Sequence, residues 1–354
     1  MKKVLGLSVF LSLIASHSNA QTVNWVYANG YAKDHLQVGV LADEFIKRVQ
    51  DASNDRIKIR HVSGGALLKP ENMIEGLRGK VADMGSAVVS FFPGQLPISA
   101  TLASTVDLTL GNKLDVAGSS AITTQLLNEF PEFSQEYEKH GLKVLWFVAV
   151  PAYAIITNEP VTNSSQLNGK KIRTLGNVLP KLLNAAGAVP VSVAFSEIYT
   201  GMQTGVVDGA MTDPPAMLSG KFQEVAKYVL TTGPKEGAYN AIAPVAYMVN
   251  MQSWNALPAD LQTAVLKASE EMTAVGAAKT VEVAAEAFKK LEAAGVTVSR
   301  LTEEDTAQWA QKSPDFMLEA AKTLNGAGAP GDKLIARYKE LAKGYIDGTW
   351  KPGR

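Results

Sequence analysis

The feature that most constrains this fold is the alternation of strand-like and helix-like segments after residue 21. The runs "VNWVYAN" from Val23 and "KVLWFVAV" from Lys143 are apolar and rich in β-branched or aromatic residues, which is typical of strands. Segments such as 35–50 instead carry apolar residues at helical spacing. Repeated alternation of this kind predicts an α/β fold with largely parallel sheets.

One helical pattern is much longer than the others. Residues 258–294 are rich in Ala, Glu and Lys and keep helical spacing almost without interruption. At 1.5 Å per residue such a helix would be about 50 Å long, which exceeds the width of a small domain. We therefore expect it to run along two domains. The patterns also predict a helix at 221–230, a helix capped by Ser196, and two helices after the strand "GVTVSRL".

Composition limits the functions that the chain can perform. A length of 354 residues suggests about two domains, and 34 basic residues balance 34 acidic ones. This neutral balance gives no reason to expect nucleic acid or an anionic membrane surface as a partner. The absence of cysteine excludes disulfides, a thiol nucleophile and a cysteine-ligated zinc site.

The first twenty residues form a separate segment. Lys2 and Lys3 precede a short apolar run, and Ser18 and Ala20 occupy the −3 and −1 positions of a cleavage site. This pattern predicts a secretory signal peptide over 1–20, cleaved after Ala20. The apolar run is shorter than the roughly 20 residues that a membrane-spanning helix needs. We expect an exported, freely soluble protein in a bacterial periplasm.

Signatures of catalysis are scarce. The histidines after the signal peptide are His35, His61 and His140, and none has a second ligand at metal-binding spacing. The sequence contains no H-E-x-x-H, G-x-S-x-G or Walker loop. The segment "GAGAPG" at 326–331 has dinucleotide-loop spacing but lies between two helices, so we interpret it as a connecting loop. The prediction is a protein that is not an enzyme and has no metal or cofactor.

One arginine stands out, in the stretch "LNGKKIRTLGN". Arg173 lies between the apolar residues Ile172 and Leu175, where a buried guanidinium must find an anion. That anion could be an acidic side chain of the protein itself or a ligand. Lys170 and Lys171 add further positive charge, with no acid nearby in sequence. The strand also runs into a glycine turn and a helix, and ligands bind α/β sheets at such strand ends.

Four blocks in order resemble the periplasmic solute-binding proteins of TRAP transporters, of the type that binds C4-dicarboxylates. They are "GGALLKPENMIEGLRGKVADMG", "LNGKKIRTLGN", "VPVSVAFSEIYTGMQTGVVDG" followed by "KFQEVAKYV", and "WNALPADLQTAV". The resemblance covers essentially the whole mature sequence. It implies a two-lobed clamp with mixed, mostly parallel sheets and a long helix spanning both lobes. Ligand closes such a clamp, and the closed form is recognised by the membrane permease subunits.

The resemblance also implies a division of the chain between the lobes. The N-terminal lobe would contain 21–149 plus a returning segment, 239–270. The C-terminal lobe would contain 150–238 plus 271–354, which includes most of the long helix.

Residues of the family's site carry over individually. Arg173 matches the arginine that clasps the ligand carboxylate. Phe195 matches an aromatic residue that packs against the ligand, although core packing is an equal alternative. Asn177 follows the arginine turn as a polar contact or a simple helix cap. Tyr153 stands where sialic-acid-binding relatives have a second arginine, and it offers one hydrogen bond and an aromatic face but no charge.

Other departures make the expected site more apolar. In "DGAMTDPP", Thr212 replaces an asparagine of those relatives, with Met211 and Asp213 beside it. Lys69 replaces an aspartate and Val88 a glutamate. These changes favour a small organic acid, preferably a monocarboxylate with an apolar or aromatic body. Lys69 leaves a dicarboxylate open, although a solvated lysine at a helix start is the simpler interpretation.

The remaining candidates come from the opposite side of the cleft and from the crossings between the lobes. They are Tyr31, His35, Trp146 and Tyr239, all of which could instead serve packing or helix capping. A rival function uses the same clamp to present ligand to a sensor kinase or chemoreceptor, and the sequence does not separate that role from transport.

Overall fold

The structure is a computed structural model that describes residues 22–107, 113–174, 176, 178–233 and 242–352. The predicted signal peptide, Asn177 and Tyr239 lie outside these residues. The strands are β1 (Val23–Ala28), β2 (Ile57–Val62), β3 (Met84–Val88), β4 (Leu142–Val148), β5 (Ala154–Thr157), β6 (Lys171–Arg173), β7 (Val189–Val191), β8 (Gly209–Thr212), β9 (Tyr228–Thr231), β10 (Val245–Asn250) and β11 (Thr297–Ser299).

The α-helices alternate with these strands through most of the chain. They are α1 (Leu41–Ala52), α2 (Met73–Arg78), α3 (Pro97–Ala103), α4 (Val116–Glu129), α5 (Pro131–Glu138), α6 (Val178–Ala185), α7 (Ile198–Gln203), α8 (Pro214–Ser219), α9 (Met251–Asn255), α10 (Ala259–Ala293), α11 (Glu303–Lys312), α12 (Phe316–Gly326) and α13 (Gly331–Ile346). A π-helical turn, Leu36–Val40, precedes α1. Within the described ranges, no helix combines the length and apolar character needed to cross a bilayer.

The strands form two sheets, which confirms the predicted α/β fold. The first sheet has the order β2-β1-β3-β10-β4, and the second has the order β11-β9-β5-β8-β6-β7. Each sheet is parallel except for one strand: β10 is antiparallel to both neighbours in the first sheet, and β5 is in the second. Each of these two strands is the first strand after the chain passes from one sheet to the other, from β4 to β5 and from β9 to β10. The sheets are the centres of two lobes.

The long helix is confirmed almost to the residue. α10 spans 35 residues, Ala259–Ala293, and contacts α1 and β4 near the first sheet and α8 and β11 near the second. Leu261 and Met272 pack in a core on the first sheet, whereas Phe288 and Leu291 pack in a core on the second. A Cβ atom at Gly276 would lie 3.2 Å from the Trp146 ring, so the glycine permits a close crossing over β4.

The C-terminal helices differ from the predicted division. α11 packs on the second sheet through Trp309, but α12 and α13 share a core with α4 and β4 of the first lobe. A bidentate ion pair between Arg337 and Glu129 joins α13 to α4, with both contacts at 2.7 Å. Three helices close the chain instead of the two expected. The assignment of all of 271–354 to the C-terminal lobe therefore does not describe how these helices pack.

Two local predictions are wrong. Residues 221–230 do not form a helix: Lys221 has a φ of 56°, a short 3₁₀ turn follows, and 228–231 pair as β9 between β5 and β11. The β-branched and aromatic residues of this short run fit a strand once neighbouring strands are available. Ser196 is not a helix cap, because it lies inside a 3₁₀ turn, Phe195–Glu197, ahead of α7.

One buried carboxylate holds the start of α3. Glu136 of α5 accepts hydrogen bonds from the backbone amides of Ile98 at 2.7 Å and Ser99 at 2.9 Å, and from the Ser99 hydroxyl. Burial raises the pKa of Glu136 to about 7, although these hydrogen bonds oppose the shift.

Candidate functional site

The two lobes meet at matching edges of their sheets. β6, β7 and β8 run in parallel, so their carboxyl ends share one edge of the second sheet. The antiparallel strand β5 begins at that same edge, because Ala154 pairs with Thr212 at the end of β8. Only residues 149–153 connect this edge to the end of β4, where the carboxyl edge of the first sheet lies. The tertiary structure thus creates one region between two strand edges, where ligands bind α/β proteins.

Arg173 ends β6 at this edge and is only 2% exposed. Its Nε donates to the carbonyl oxygen of Val193 at 3.2 Å, and no carboxylate of the described residues forms an ion pair with it. Burial lowers the pKa of Arg173 below its usual value, which reflects the cost of holding a charge there. The two terminal nitrogens of the fork are therefore available for an anion.

The neighbouring cations behave differently. Lys170 forms an ion pair with Glu159 at 2.6 Å, although the sequence places that acid eleven positions away. Lys171 donates to the carbonyl oxygen of Gly205 at 2.5 Å. Of the three residues in the basic cluster, Arg173 alone is buried, whereas Lys170 and Lys171 are half-buried. Gly176, at a φ of 67°, forms the predicted glycine turn just beyond it.

The Tyr153 side chain lies within electrostatic reach of both Asp213 and Arg173. Burial raises the pKa of Tyr153, the charge of Asp213 raises it further, and the charge of Arg173 lowers it. Asp213 follows β8 and caps α8 by accepting from the Ala216 amide at 3.0 Å. Burial also raises the pKa of Asp213, an effect that the Ala216 hydrogen bond opposes. A phenol, a carboxylate and a guanidinium therefore share this edge.

The other candidates of the second lobe divide between the edge and the core. Phe195 is 43% exposed, and its ring centroid lies 5.5 Å from that of Phe222. It is therefore available to a ligand. Thr212 is buried at the end of β8, whereas Met211 points to the opposite face and packs in the core with Ile155.

On the first lobe, the loop after β1 presents Tyr31 and His35. Their ring centroids are 5.1 Å apart; Tyr31 is half-buried and His35 is exposed. The Tyr31 carbonyl accepts from the Gly64 amide at 2.7 Å, which ties this loop to the loop after β2. A Cβ atom on Gly30 would lie 2.6 Å from Pro70, so only glycine allows this close approach.

Lys69 and Trp146 occupy contrasting environments. Lys69 is exposed at the end of the loop after β2, immediately before the 3₁₀ turn Pro70–Asn72. Trp146 is buried in the core of the first lobe and stacks on Tyr247, with ring centroids 3.9 Å apart. In the part of the chain that the structure describes, no cluster of three or more potential ligand side chains could hold a metal ion.

Comparison with known families decides the relationship. The family model for bacterial extracellular solute-binding proteins, family 7 (DctP), matches residues 28–323. The chain belongs to this family. The family 7 match includes every candidate site residue named above.

Known relatives agree with this assignment. The C4-dicarboxylate-binding periplasmic protein DctP of Rhodobacter capsulatus is 39% identical over 143 residues, which is 40% of each chain. A TRAP periplasmic solute-binding protein from Desulfovibrio salexigens has a TM-score of 0.81 at 22% identity, covering 93% of this chain and 98% of that one. A marine metagenome TRAP protein specific for aromatic acids, crystallised with 3-hydroxybenzoate, has a TM-score of 0.76 at 21% identity and coverage of 92% and 99%.

The structure also identifies residues of this family 7 protein that the sequence analysis missed. Thr174 is buried beside Arg173, and its hydroxyl has no hydrogen-bond partner among the described residues. Asn29 accepts from the Tyr31 amide at 2.5 Å and contacts Nε2 of His61 at 3.2 Å, while Nδ1 of His61 contacts Asp43 at 2.7 Å. Thr174 could have been predicted as a site residue because it directly follows Arg173. Nothing in the sequence indicated that Asn29, His61 and Asp43 are linked by hydrogen bonds.

Proposed function

We propose that this protein is the periplasmic solute-binding component of a TRAP transporter. It captures a small organic acid through a carboxylate clasp at Arg173 and delivers that acid to the membrane permease subunits. Neither an enzymatic role nor a cofactor is part of the proposal. The signal peptide over 1–20 would direct the chain to the periplasm.

The observation that carries the proposal is that the Arg173 side chain is buried without an acidic partner among the described residues. A buried guanidinium normally has an acidic partner, because an unpaired charge away from water is costly. Arg173 is buried at a strand edge, holds one carbonyl through Nε, and has no ion pair with a carboxylate of the described residues. Its planar fork matches a carboxylate through two parallel hydrogen bonds.

The surroundings of Arg173 favour a monocarboxylate with an apolar or aromatic body. Phe195 offers exposed aromatic surface and Tyr153 a half-buried phenol, and Asp213 places a negative charge near Tyr153 that disfavours a second carboxylate on this lobe. The marine metagenome protein, which shares this fold at 21% sequence identity, was crystallised with the aromatic acid 3-hydroxybenzoate.

A C4-dicarboxylate is the second candidate. The exposed ammonium of Lys69 on the first lobe could meet a second carboxylate, and the Rhodobacter capsulatus relative is named for that ligand. Presentation of ligand to a sensor kinase or chemoreceptor would use the same site, so it differs from transport only in the partner.

The test is a thermal-shift screen against carboxylic acids, followed by titration calorimetry of each hit and its neutral amide. A ligand at 100 times its dissociation constant should stabilise the protein by about 2.7 kcal/mol. Arg173→Ala should abolish that shift, and Lys170→Ala, which removes a cation already paired with Glu159, should retain it. Equal binding of acid and amide, or normal binding by Arg173→Ala, would refute the clasp.

Pull-down of the permease separates transport from sensing. The ligand-loaded protein should bind the TRAP membrane subunits in detergent or nanodiscs, and the ligand-free protein should bind them more weakly. Retention of a chemoreceptor or sensor-kinase ectodomain instead would favour the rival role.

A further inference from the structure

The strands of the first sheet carry three buried side-chain polar groups with no hydrogen-bond partner among the described residues. They are the hydroxyls of Tyr27 and Ser86 and the indole N–H of Trp146. The three residues are exposed by 0%, 2% and 2%. Buried polar groups in native proteins nearly always have partners, so three such groups in one place require a physical explanation.

Strand register brings these groups to the same face of the first sheet. Tyr247 of β10 pairs with Ser86 of β3 on one side and with Trp146 of β4 on the other. Tyr27 of β1 pairs with Met84, which faces the same side as Ser86 because side chains alternate along a strand. The ring centroids of Tyr27 and Tyr247 are 6.0 Å apart. Four neighbouring strands thus contribute to a single polar patch.

The hydroxyls in this patch are close but do not satisfy one another. Burial raises the pKa of Tyr27, and its neighbours Ser86 and Tyr247 act against that shift, which places both near its hydroxyl. Their geometry nevertheless falls outside that of a hydrogen bond for Tyr27 and Ser86. The Tyr247 hydroxyl donates its hydrogen to the carbonyl oxygen of Gln37 at 2.6 Å, so toward Tyr27 and Ser86 it can act only as an acceptor.

The patch lies directly below the edge where the lobes meet. Ser86 is two residues before Val88 at the end of β3, which is a depth of about 7 Å at 3.3 Å per residue. The half-buried residues that pack over this core include Tyr31, Val88 and Val150. Tyr31 belongs to the loop after β1, and Val150 belongs to the crossing between the lobes. Residues that border the region between the lobes therefore cover this patch.

The hydrogen-bonding groups of the patch and the nearby charge indicate which kind of ligand group it can bind. Tyrosine and serine hydroxyls donate or accept, and the indole N–H only donates, so the patch offers an excess of donors. The negative charge of Asp43 acts on both Tyr27 and Tyr247 and raises their pKa values. An anion is therefore disfavoured, and a neutral oxygen acceptor fits best.

We propose that Tyr27, Ser86 and Trp146 form a subsite for a hydroxyl or carbonyl oxygen at the end of the ligand remote from its carboxylate. This inference rests on the proposed function, with Arg173 on the second lobe holding the carboxylate. It narrows the ligand class to organic acids that carry a neutral oxygen substituent, such as hydroxy acids or oxo acids.

The experiment compares acids that differ by one hydroxyl. Wild-type protein and the variants Tyr27→Phe, Ser86→Ala and Tyr338→Phe are titrated with 3-hydroxybenzoate against benzoate, and with 4-hydroxybutyrate against butyrate. Tyr338 is a matched control, because its hydroxyl is also buried without a described partner but lies in the α13 core. In at least one pair, the wild type and Tyr338→Phe should bind the hydroxylated acid at least tenfold more tightly.

Tyr27→Phe and Ser86→Ala should each reduce that preference to less than threefold. Tyr27→Phe should leave the melting temperature of the ligand-free protein unchanged or higher, because it removes an unsatisfied buried hydroxyl. No hydroxyl preference in the wild type, or a preference that survives in both variants, would overturn the subsite. A lower melting temperature with unchanged preference would also overturn it and would assign the patch to a structural role.

Failure of the subsite is distinguishable from failure of the clasp. Loss of binding in Arg173→Ala, with normal hydroxyl preference in Tyr27→Phe and Ser86→Ala, would reject only the subsite. Normal binding in Arg173→Ala would reject the carboxylate clasp on which the subsite rests.

Discussion

Replacing Arg173 by methionine should change binding and stability in opposite directions. Methionine retains much of the length and apolar stem of arginine but carries no charge or donor. In the ligand-free protein, Arg173 is 2% exposed and makes a single described side-chain hydrogen bond, from Nε to the Val193 carbonyl. The substitution therefore removes a charge that burial already disfavours, as the lowered pKa of Arg173 indicates.

The expected loss of affinity follows from the two remaining nitrogens of the fork. Hydrogen bonds to charged groups contribute roughly 1.5–3 kcal/mol each, so two parallel bonds contribute about 3–6 kcal/mol. At about 1.4 kcal/mol per factor of ten, Arg173→Met should weaken binding by about 10²- to 10⁴-fold. Arg173→Lys keeps the charge but loses the fork, so its loss should be smaller, about 10- to 100-fold.

The assay combines titration calorimetry with thermal unfolding of the ligand-free protein. Arg173→Met should melt at the wild-type temperature or above, because replacing an unpaired buried charge with an apolar group is neutral or stabilising. Lys170→Met is the control: it breaks the ion pair with Glu159, so it should leave affinity unchanged and lower stability by at most about 1 kcal/mol. A melting temperature for Arg173→Met well below that of Lys170→Met would show that Arg173 has a structural anion partner, and the reasoning would fail.

Three further predictions concern other parts of the molecule. The folded-state pKa of Glu136 is about 7, whereas the usual glutamate value is 4.5. Between pH 4.5 and 7 the folded state therefore holds a proton that the unfolded state has released, so the free energy of unfolding should fall by about 3 kcal/mol as the pH rises through this range. Urea titrations at several pH values should show this decline removed in Glu136→Gln and kept in Glu132→Gln, a change at an exposed site on the same helix; identical slopes would contradict the shift. Gly30→Ala should weaken ligand binding and lower stability by about 1–3 kcal/mol, because its Cβ would overlap Pro70. The control Gly94→Ala, which has open space around its Cβ, should change neither. If calorimetry and thermal melting give the two variants the same affinity and stability, the close contact between Gly30 and Pro70 is rejected. Lys69→Ala should leave monocarboxylate affinity within twofold, and a diacid preference that disappears in this variant would instead establish the dicarboxylate reading.

The site was only partly predictable, and Arg173 shows where the limit lies. A charge inside an apolar strand pattern marked it as unusual, but only the three-dimensional arrangement shows which acids are near it. Lys170 makes the same point, since its partner Glu159 comes from across a turn and has no signature in the sequence. Tyr153 and Thr212 are far apart in the chain, and the antiparallel pairing of β5 with β8 brings them to one edge.

The sequence alone determined features whose causes are local or repeat over many residues. Alternating periodicity established the α/β class, and 35 residues of helical spacing established α10, because each added turn strengthens the same pattern. Tertiary structure decided features that depend on packing: 228–231 became a strand between β5 and β11, and α12 and α13 settled on the first lobe. Short segments have weak intrinsic preferences, so the surface that buries their apolar side chains determines both their conformation and their position.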